Sequence, residues 1–105
     1  MADAPSFGRS IAEARKRIGV SQKGLAAMLK RDDGMCVSPQ YLNDIEHSRR
    51  HPSTDWLITQ LANVLGLDTD YMYFLAGRVS PDLVAMNASP EAVALAMTVL
   101  RNKLN

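Results

Sequence analysis

The segment VSPQYLNDIEHS, Val37 to Ser48, sets the frame for reading the rest of the chain. Ser38 can accept a bond from a free backbone N–H as an N-cap, and Pro39 has the fixed φ that a first helical residue needs. Val37 and Leu42 then stand at the two positions of a hydrophobic staple, which fixes the angle at which the chain enters the helix. Leu42 and Ile45 share one buried face, while Gln40, Tyr41, Asn43 and Asp44 fall on or beside the opposite one. A short helix with amides, a hydroxyl and a carboxylate outward suits hydrogen bonding to base edges. Any solvated helix also has a polar outer face, so the segment alone does not choose between the two.

Before it, Ser6 caps a first helix expected to reach about Ile18, with Phe7, Ile11, Ala14 and Ile18 on one side and Gly19 as the stop. Ser21 caps a second, SQKGLAAMLK, expected to run to about Asp32, with Leu25, Met28 and Leu29 facing the core and Ala26 allowing close approach. Gly24 in its first turn costs up to about 1 kcal/mol relative to Ala, so this helix depends on tertiary packing. The stretch KRDDGMC, Lys30 to Cys36, then interrupts the pattern, Asp33-Gly34 being a turn or helix-ending signal.

After it, Pro52 and Ser53 announce a fourth helix, in which Trp56, Leu57, Leu61, Val64 and Leu65 supply apolar faces until Gly66. Asp68 caps a fifth, closed by Gly77. Ser80-Pro81-Asp82 and Ser89-Pro90-Glu91 repeat one grammar: Ser as cap, Pro in the first turn, an acid complementing the helix dipole. The last helix carries Val93, Met97, Leu100 and Leu104 at steps of four, three and four, a seam of about two heptads. No strand pattern and no internal repeat competes, so the class is all-α.

At 105 residues and 47% hydrophobic content there is room for one modest core. The single cysteine excludes an internal disulfide framework and fits a reducing compartment. No run approaches the roughly 18 apolar residues of a membrane helix, and the start MADAPSFGRS lacks the apolar centre of a signal peptide; a cytoplasmic protein without membrane contact is expected. The net charge of +1 is unevenly spread. Residues 9–50 hold nine Lys/Arg against five acids, +4, and residues 51–105 hold three against five, −2. Basic charge gathers around Val37 to Ser48, where it can serve a polyanion. A Gly-rich phosphate loop is absent, as is any nucleophile–base pair at motif spacing, so an enzyme is not expected.

The phrase GVSQKGLA, followed by VSPQYLNDIEHSRRHPS and LANVLGL, resembles the Xre/Cro-type helix-turn-helix regulators over roughly Phe7 to Leu75. The seam of Val93, Met97, Leu100 and Leu104 makes the helical extension over 79–105 a dimerisation element, the alternative being a helix packed back on its own domain as a sixth core element. The resemblance implies a five-helix bundle over residues 1–78. It implies a third helix in the major groove of double-stranded DNA with the second lying across it. On it, Gln40, Tyr41, Asn43 and Asp44 read bases. Gln40 and Asn43 have the donor–acceptor pair for adenine N6 and N7, Asp44 an acceptor for cytosine N4, and Tyr41 reaches a phosphate or a thymine methyl. Gln22, Lys23, Lys30, Arg31, Ser38, His47, Arg49 and Arg50 fall to the phosphates, and Arg15 with Glu46 to a structural ion pair that positions the reading helix. The function so implied is a sequence-specific regulator, a repressor acting as a homodimer on an inverted repeat. The alternative is a protein-interaction module or antitoxin whose C-terminal helices bind a protein partner.

The chain departs from the pattern in three places. The link between helices 2 and 3 is about six residues longer than the usual short turn, Ser48 stands where Gly is common, and Pro39 replaces a side chain that often reads a base. Cys36 is read as buried under the helix start rather than as a redox switch, and Cys36, His47 and His51 are too irregularly spaced for zinc. The methionines are read as core filler and Trp56 as a core or interface aromatic; no cofactor or metal is expected.

Overall fold

The computed structural model describes residues 5–105, so Met1 to Ala4 of the expected leader lie outside the described residues. The helices, in chain order, are α1 (Phe7–Arg17), α2 (Gln22–Met28), α3 (Pro39–Glu46), α4 (Asp55–Leu65), α5 (Thr69–Leu75), α6 (Pro81–Val84) and α7 (Pro90–Leu104). Side chains satisfy the free N–H groups at their starts. Ser6, Ser21, Ser38, Asp68 and Ser89 each accept from the backbone N–H three residues on, at 2.8–3.1 Å. α4 begins later than Pro52-Ser53 indicates, because Thr54 is its cap and accepts from Leu57 at 3.2 Å. Ser80 does not cap α6: its hydroxyl donates to Asp82 instead of accepting from the backbone.

One core joins Phe7, Ile11 and Ala14 of α1, Leu25 and Ala26 of α2, Leu42 and Ile45 of α3, the Leu57, Ile58, Leu61, Ala62 and Leu65 face of α4, and Met72 and Tyr73 of α5. α3 packs against both α1 and α2, and α4 against α1 and α5. The contact of α1 with the end of α3 is very close. A Cβ on Gly8 would stand 2.1 Å from the backbone oxygen of Ile45. At the end of α3, Ser48 takes φ 60°, the left-handed conformation for which a Gly is the ordinary choice.

Several side chains expected inside lie outside. Ile18, Met28, Trp56 and Val64 are exposed. Ile18 and Met28 sit at helix ends beyond the contact, and a helix turning about 100° per residue cannot bury Trp56 together with Leu57, Ile58 and Leu61. Of the methionines in the described residues, Met72 is core, whereas Met28, Met35, Met86 and Met97 are exposed, so core filling describes one of them. Cys36 is exposed rather than buried, held by its sulfur to Lys30 Nζ at 3.4 Å and to the Ala27 oxygen at 3.5 Å.

α2 ends at Met28 and not near Asp32, because Leu29 turns to extended backbone, φ −105° and ψ 134°. The chain then folds into a short hairpin. Arg31 N–H donates to the Met35 oxygen at 2.7 Å, Gly34 N–H to the Arg31 oxygen at 3.0 Å, and Lys30 pairs with Cys36 in an antiparallel bridge. Asp-Gly is a hairpin signal as much as a helix stop, and here it acts as the former. Gln60 of α4 anchors the base, its side chain accepting from Lys30 N–H at 2.9 Å and donating to the Lys30 oxygen at 2.7 Å.

Every residue from 81 to 105 is exposed. Met97, Leu100 and Leu104 of α7 face Tyr71, Phe74 and Leu83 across a groove of about 370 Å³. Val93 and Met97 line a second, of about 500 Å³, with Val79, Val84 and Met86. Leu95 and Val99 are exposed as well. Among the described residues no helix is long and apolar enough to cross a membrane.

The Gly8 contact gives a direct test of the α1–α3 packing. Gly8→Ala should lower stability by roughly 3 kcal/mol, the upper end of overpacking costs, because the obstacle is a backbone carbonyl and not a yielding side chain. Urea unfolding measures it, and a change within 0.5 kcal/mol, about that of a neutral surface substitution, would show the contact to be looser than described.

Candidate nucleic-acid interface

α3 is locked from the side that faces its own protein. Arg15 of α1 donates through Nε to Glu46 Oε2 at 2.7 Å and through Nη2 to Oε1 at 3.0 Å, while its Nη1 donates to the Val20 oxygen at 2.9 Å. Gln22 of α2 donates from Nε2 to Glu46 Oε1 at 2.9 Å and to Asn43 Oδ1 at 3.1 Å. Glu46 is thus a buried carboxylate with both oxygens engaged. Burial pushes its pKa up. The hydrogen bonds from Arg15 and Gln22, with the charges of Arg15 and His47, together outweigh burial and hold it below the usual glutamate value. The bond to Glu46 raises the pKa of Arg15, against the opposing effect of burial. The expected structural ion pair is therefore present, and Gln22, expected at a phosphate, also belongs to it.

The outer face of α3 carries its own short network. Gln40 Nε2 donates to Asp44 Oδ1 at 3.0 Å, and Arg49 Nε donates to the same oxygen at 3.2 Å. His47 Nδ1 lies 2.9 Å from the Asn43 oxygen, which has only acceptor capacity, so Nδ1 carries the proton in that contact. Gln40, His47 and Arg49 are exposed, and Asn43 and Asp44 half-buried.

Tyr41 takes a different place from the one expected. It is half-buried; its hydroxyl donates to Ser53 Oγ and accepts from Ser53 N–H, both at 3.0 Å, and Arg50 stacks over its ring at 5.0 Å. Tyr41 thus braces the α3–α4 loop. Ser38 uses its hydroxyl as the cap, Lys23 is exposed on α2, and Lys30 and Arg31 stand on the hairpin, Arg31 paired with Asp33 at 3.2 Å. The residues that sequence reading missed are Ser53, Gln60 and Asp33, whose contacts build this surface. Asp33-Gly34 carried a usable signal for the hairpin; Ser53 and Gln60 are polar residues whose partners lie 12 and 30 positions away, with nothing local to mark them.

A capped helix held by α1 and α2, with polar groups outward and cations at its borders, is the geometry of a DNA-reading unit. The family model described as "Helix-turn-helix" (HTH_3) matches residues 11–72. The chain belongs to this helix-turn-helix family. It is a DNA-binding regulator of the Xre/Cro-like kind, and its all-helical bundle is the one the family implies. Among curated proteins and among solved structures no significant match was found. In this helix-turn-helix, α2 and α3 are the paired helices and the hairpin lies between them.

Because the pKa of Glu46 is depressed in the folded protein, its contribution to stability is full above the ordinary glutamate value near 4.5 and is lost as pH falls through the depressed one. Glu46→Gln should cost about 3 kcal/mol at neutral pH by leaving Arg15 without its counter-charge. Urea unfolding across a pH series should show the gap between wild type and Glu46→Gln constant above that value and narrowing below it. A gap independent of pH would remove the charged pair as its cause.

Proposed function

We propose that the protein is a repressor that binds an inverted-repeat operator as a homodimer, with α3 in the major groove. The observation that carries this reading is the outer face of α3, where Gln40, Asn43 and Asp44 are presented by a helix fixed through Glu46 to both α1 and α2. Gln40 and Asn43 offer the paired donor and acceptor that adenine requires, and Asp44 an acceptor for cytosine. Tyr41 acts by bracing the loop that carries Arg49 and Arg50. Lys23, Lys30, Arg31, His47, Arg49 and Arg50, all exposed, meet phosphates, with Gln22 and Ser38 at the two helix starts. Occupying the operator is the action these parts can perform, which is why repression is preferred, and a cytoplasmic, nucleoid-bound protein follows from it.

Selection of bound duplexes from a randomised pool should return two symmetric half-sites about 34 Å apart, centre to centre. Gln40→Ala should relax preference at one base position in each half-site by about 1–3 kcal/mol and leave the other positions as they were. Uniform loss at every position would make Gln40 a contributor to fold or backbone contact instead.

Residues 79–105 are the proposed dimerisation element. The apolar grooves lined by Val93, Met97, Leu100 and Leu104 are exposed in the single chain, and contiguous apolar surface of this kind marks an interaction site. The same observation supports the second reading, in which α7 binds a different protein, as in an antitoxin. Leu100→Asp, at an exposed position, should leave helix content unchanged and turn a dimer into a monomer with weaker operator binding, as read by sedimentation and by titration. A wild type that sediments as a monomer would favour the second reading.

A further inference from the structure

The hairpin at Lys30 to Cys36 is held in place from two directions. Asp33 Oδ1 accepts from Met35 N–H at 2.9 Å inside it, and Gln60 of α4 takes both backbone groups of Lys30 at its base. Leu29 and Val37, the residues on either side, are buried and joined by a bond from Val37 N–H to the Leu29 oxygen at 3.1 Å. A segment fixed in this way presents its side chains in a set direction.

That direction is along α3, on the flank away from α2. Gln22 meets α3 at Asn43 and Glu46. About 100° per residue separates side chains around a helix, which puts Tyr41 and Asp44 toward the other flank. There, a groove of about 500 Å³ is lined by Arg31 from the hairpin, Gln40, Tyr41 and Asp44 from α3, and Arg50 and Ser53 from the α3–α4 loop. Two guanidinium groups on separately braced segments therefore share a groove that opens beside the polar face of α3. Three carboxylates stand near it. Asp44 lines it and holds Gln40 and Arg49 through Oδ1, Asp33 pairs with Arg31, and Asp32 and Asp33 line an adjoining groove of about 310 Å³ to which Arg31, Tyr41 and Ser53 also belong.

We propose that the hairpin is a second DNA-contacting arm, in which Arg31 together with Arg50 receives the sugar–phosphate backbone of the strand lying on the far side of α3 from Gln22. This inference rests on the reading of α3 as the major-groove helix. A guanidinium fork matches two phosphate oxygens and stays charged at any working pH. The pairing of Arg31 with Asp33 is an exposed one at 3.2 Å, of the sort that contributes little, so a phosphate can replace it. Lys30 and Arg31 are balanced by Asp32 and Asp33, so the arm has no net charge to draw polyanions indiscriminately. It adds a contact where α3 has already docked, and extends the footprint of one half-site sideways.

The test uses the full chain and the duplex returned by the selection described above, with salt titration and ethylation interference on wild type, Arg31→Ala, Arg31→Lys and Arg50→Ala. Arg31 is exposed, so its variants fold, which circular dichroism checks. Arg31→Ala should reduce the magnitude of the log–log salt slope by about 0.9 and abolish interference at one phosphate on the edge of the half-site, with base preferences intact. Arg31→Lys should keep the slope but weaken that interference, and Arg50→Ala should affect the same phosphate or its neighbour. An Arg31→Ala protein with wild-type slope and interference pattern would overturn the arm while leaving α3 as the reading helix. A wild type that selects no duplex would overturn both.

Discussion

Glu46 takes two bonds from Arg15 of α1 and one from Gln22 of α2, and it sits on the last turn of α3, so three helices are referred to one carboxylate. A charge so well buried is costly to hold unless its partners are close and its oxygens filled, and both conditions are met here. The same end of α3 is where Gly8 lets α1 approach to backbone contact. Position and charge therefore constrain each other: α1 must be near enough for Arg15 to reach, and the Arg15–Glu46 pair needs α1 at that distance. With its inner side fixed, the outer face of a helix of eight residues has little freedom left in direction.

That outer face is ordered before any nucleic acid arrives, and the order has a cost and a use. Gln40 and Arg49 each donate to Asp44, at 3.0 and 3.2 Å, so in the proposed contacts with bases and phosphates their donors exchange partners. These bonds lie at the solvent boundary, where such exchange costs little, while side chains already confined lose less freedom on binding. The Tyr41–Ser53–Arg50 arrangement works the same way, with an aromatic ring and two hydrogen bonds steadying a loop that would otherwise carry its arginines loosely.

Local chemistry made much of this legible in the sequence, and its failures share one cause. Ser6, Ser21, Ser38, Asp68 and Ser89 cap helices where they were expected to, since a cap involves only residues three apart. Leu42 and Ile45, separated by one helical turn, are buried together for the same reason. The errors arise where a distant partner decides. Met28 and Trp56 have the composition of core residues and lie outside because neighbouring helices cover other faces of α2 and α4. Ser80 carries the cap grammar and bonds to Asp82 instead. Asp33-Gly34 is compatible with a helix end and with a hairpin, and it is Gln60, 30 residues from Lys30, that settles the matter. Of the interface, the Arg15–Glu46 pair was legible through the resemblance, whereas the bonds of Gln22 to Asn43 and Glu46 and the place of Tyr41 are set by partners that only the folded chain brings together.

A long connection between two helices that must keep a fixed relation looks at first like a threat to that relation. It is not one. Lengthening a connection costs only about 0.6 kcal/mol per doubling in closure entropy, and here the added residues recover contacts of their own through the hairpin bonds and Gln60. More to the point, the connection does not set the geometry of α2 against α3. Gln22 ties α2 to Asn43 and Glu46 directly, Leu25 and Ala26 pack in the same core as Leu42 and Ile45, and Leu29 and Val37 bring the chain back to a closed base. Beyond that base the chain is relieved of any duty to the α2–α3 relation, so its side chains can be spent on the surface beside α3, where Arg31 shares a groove with Arg50.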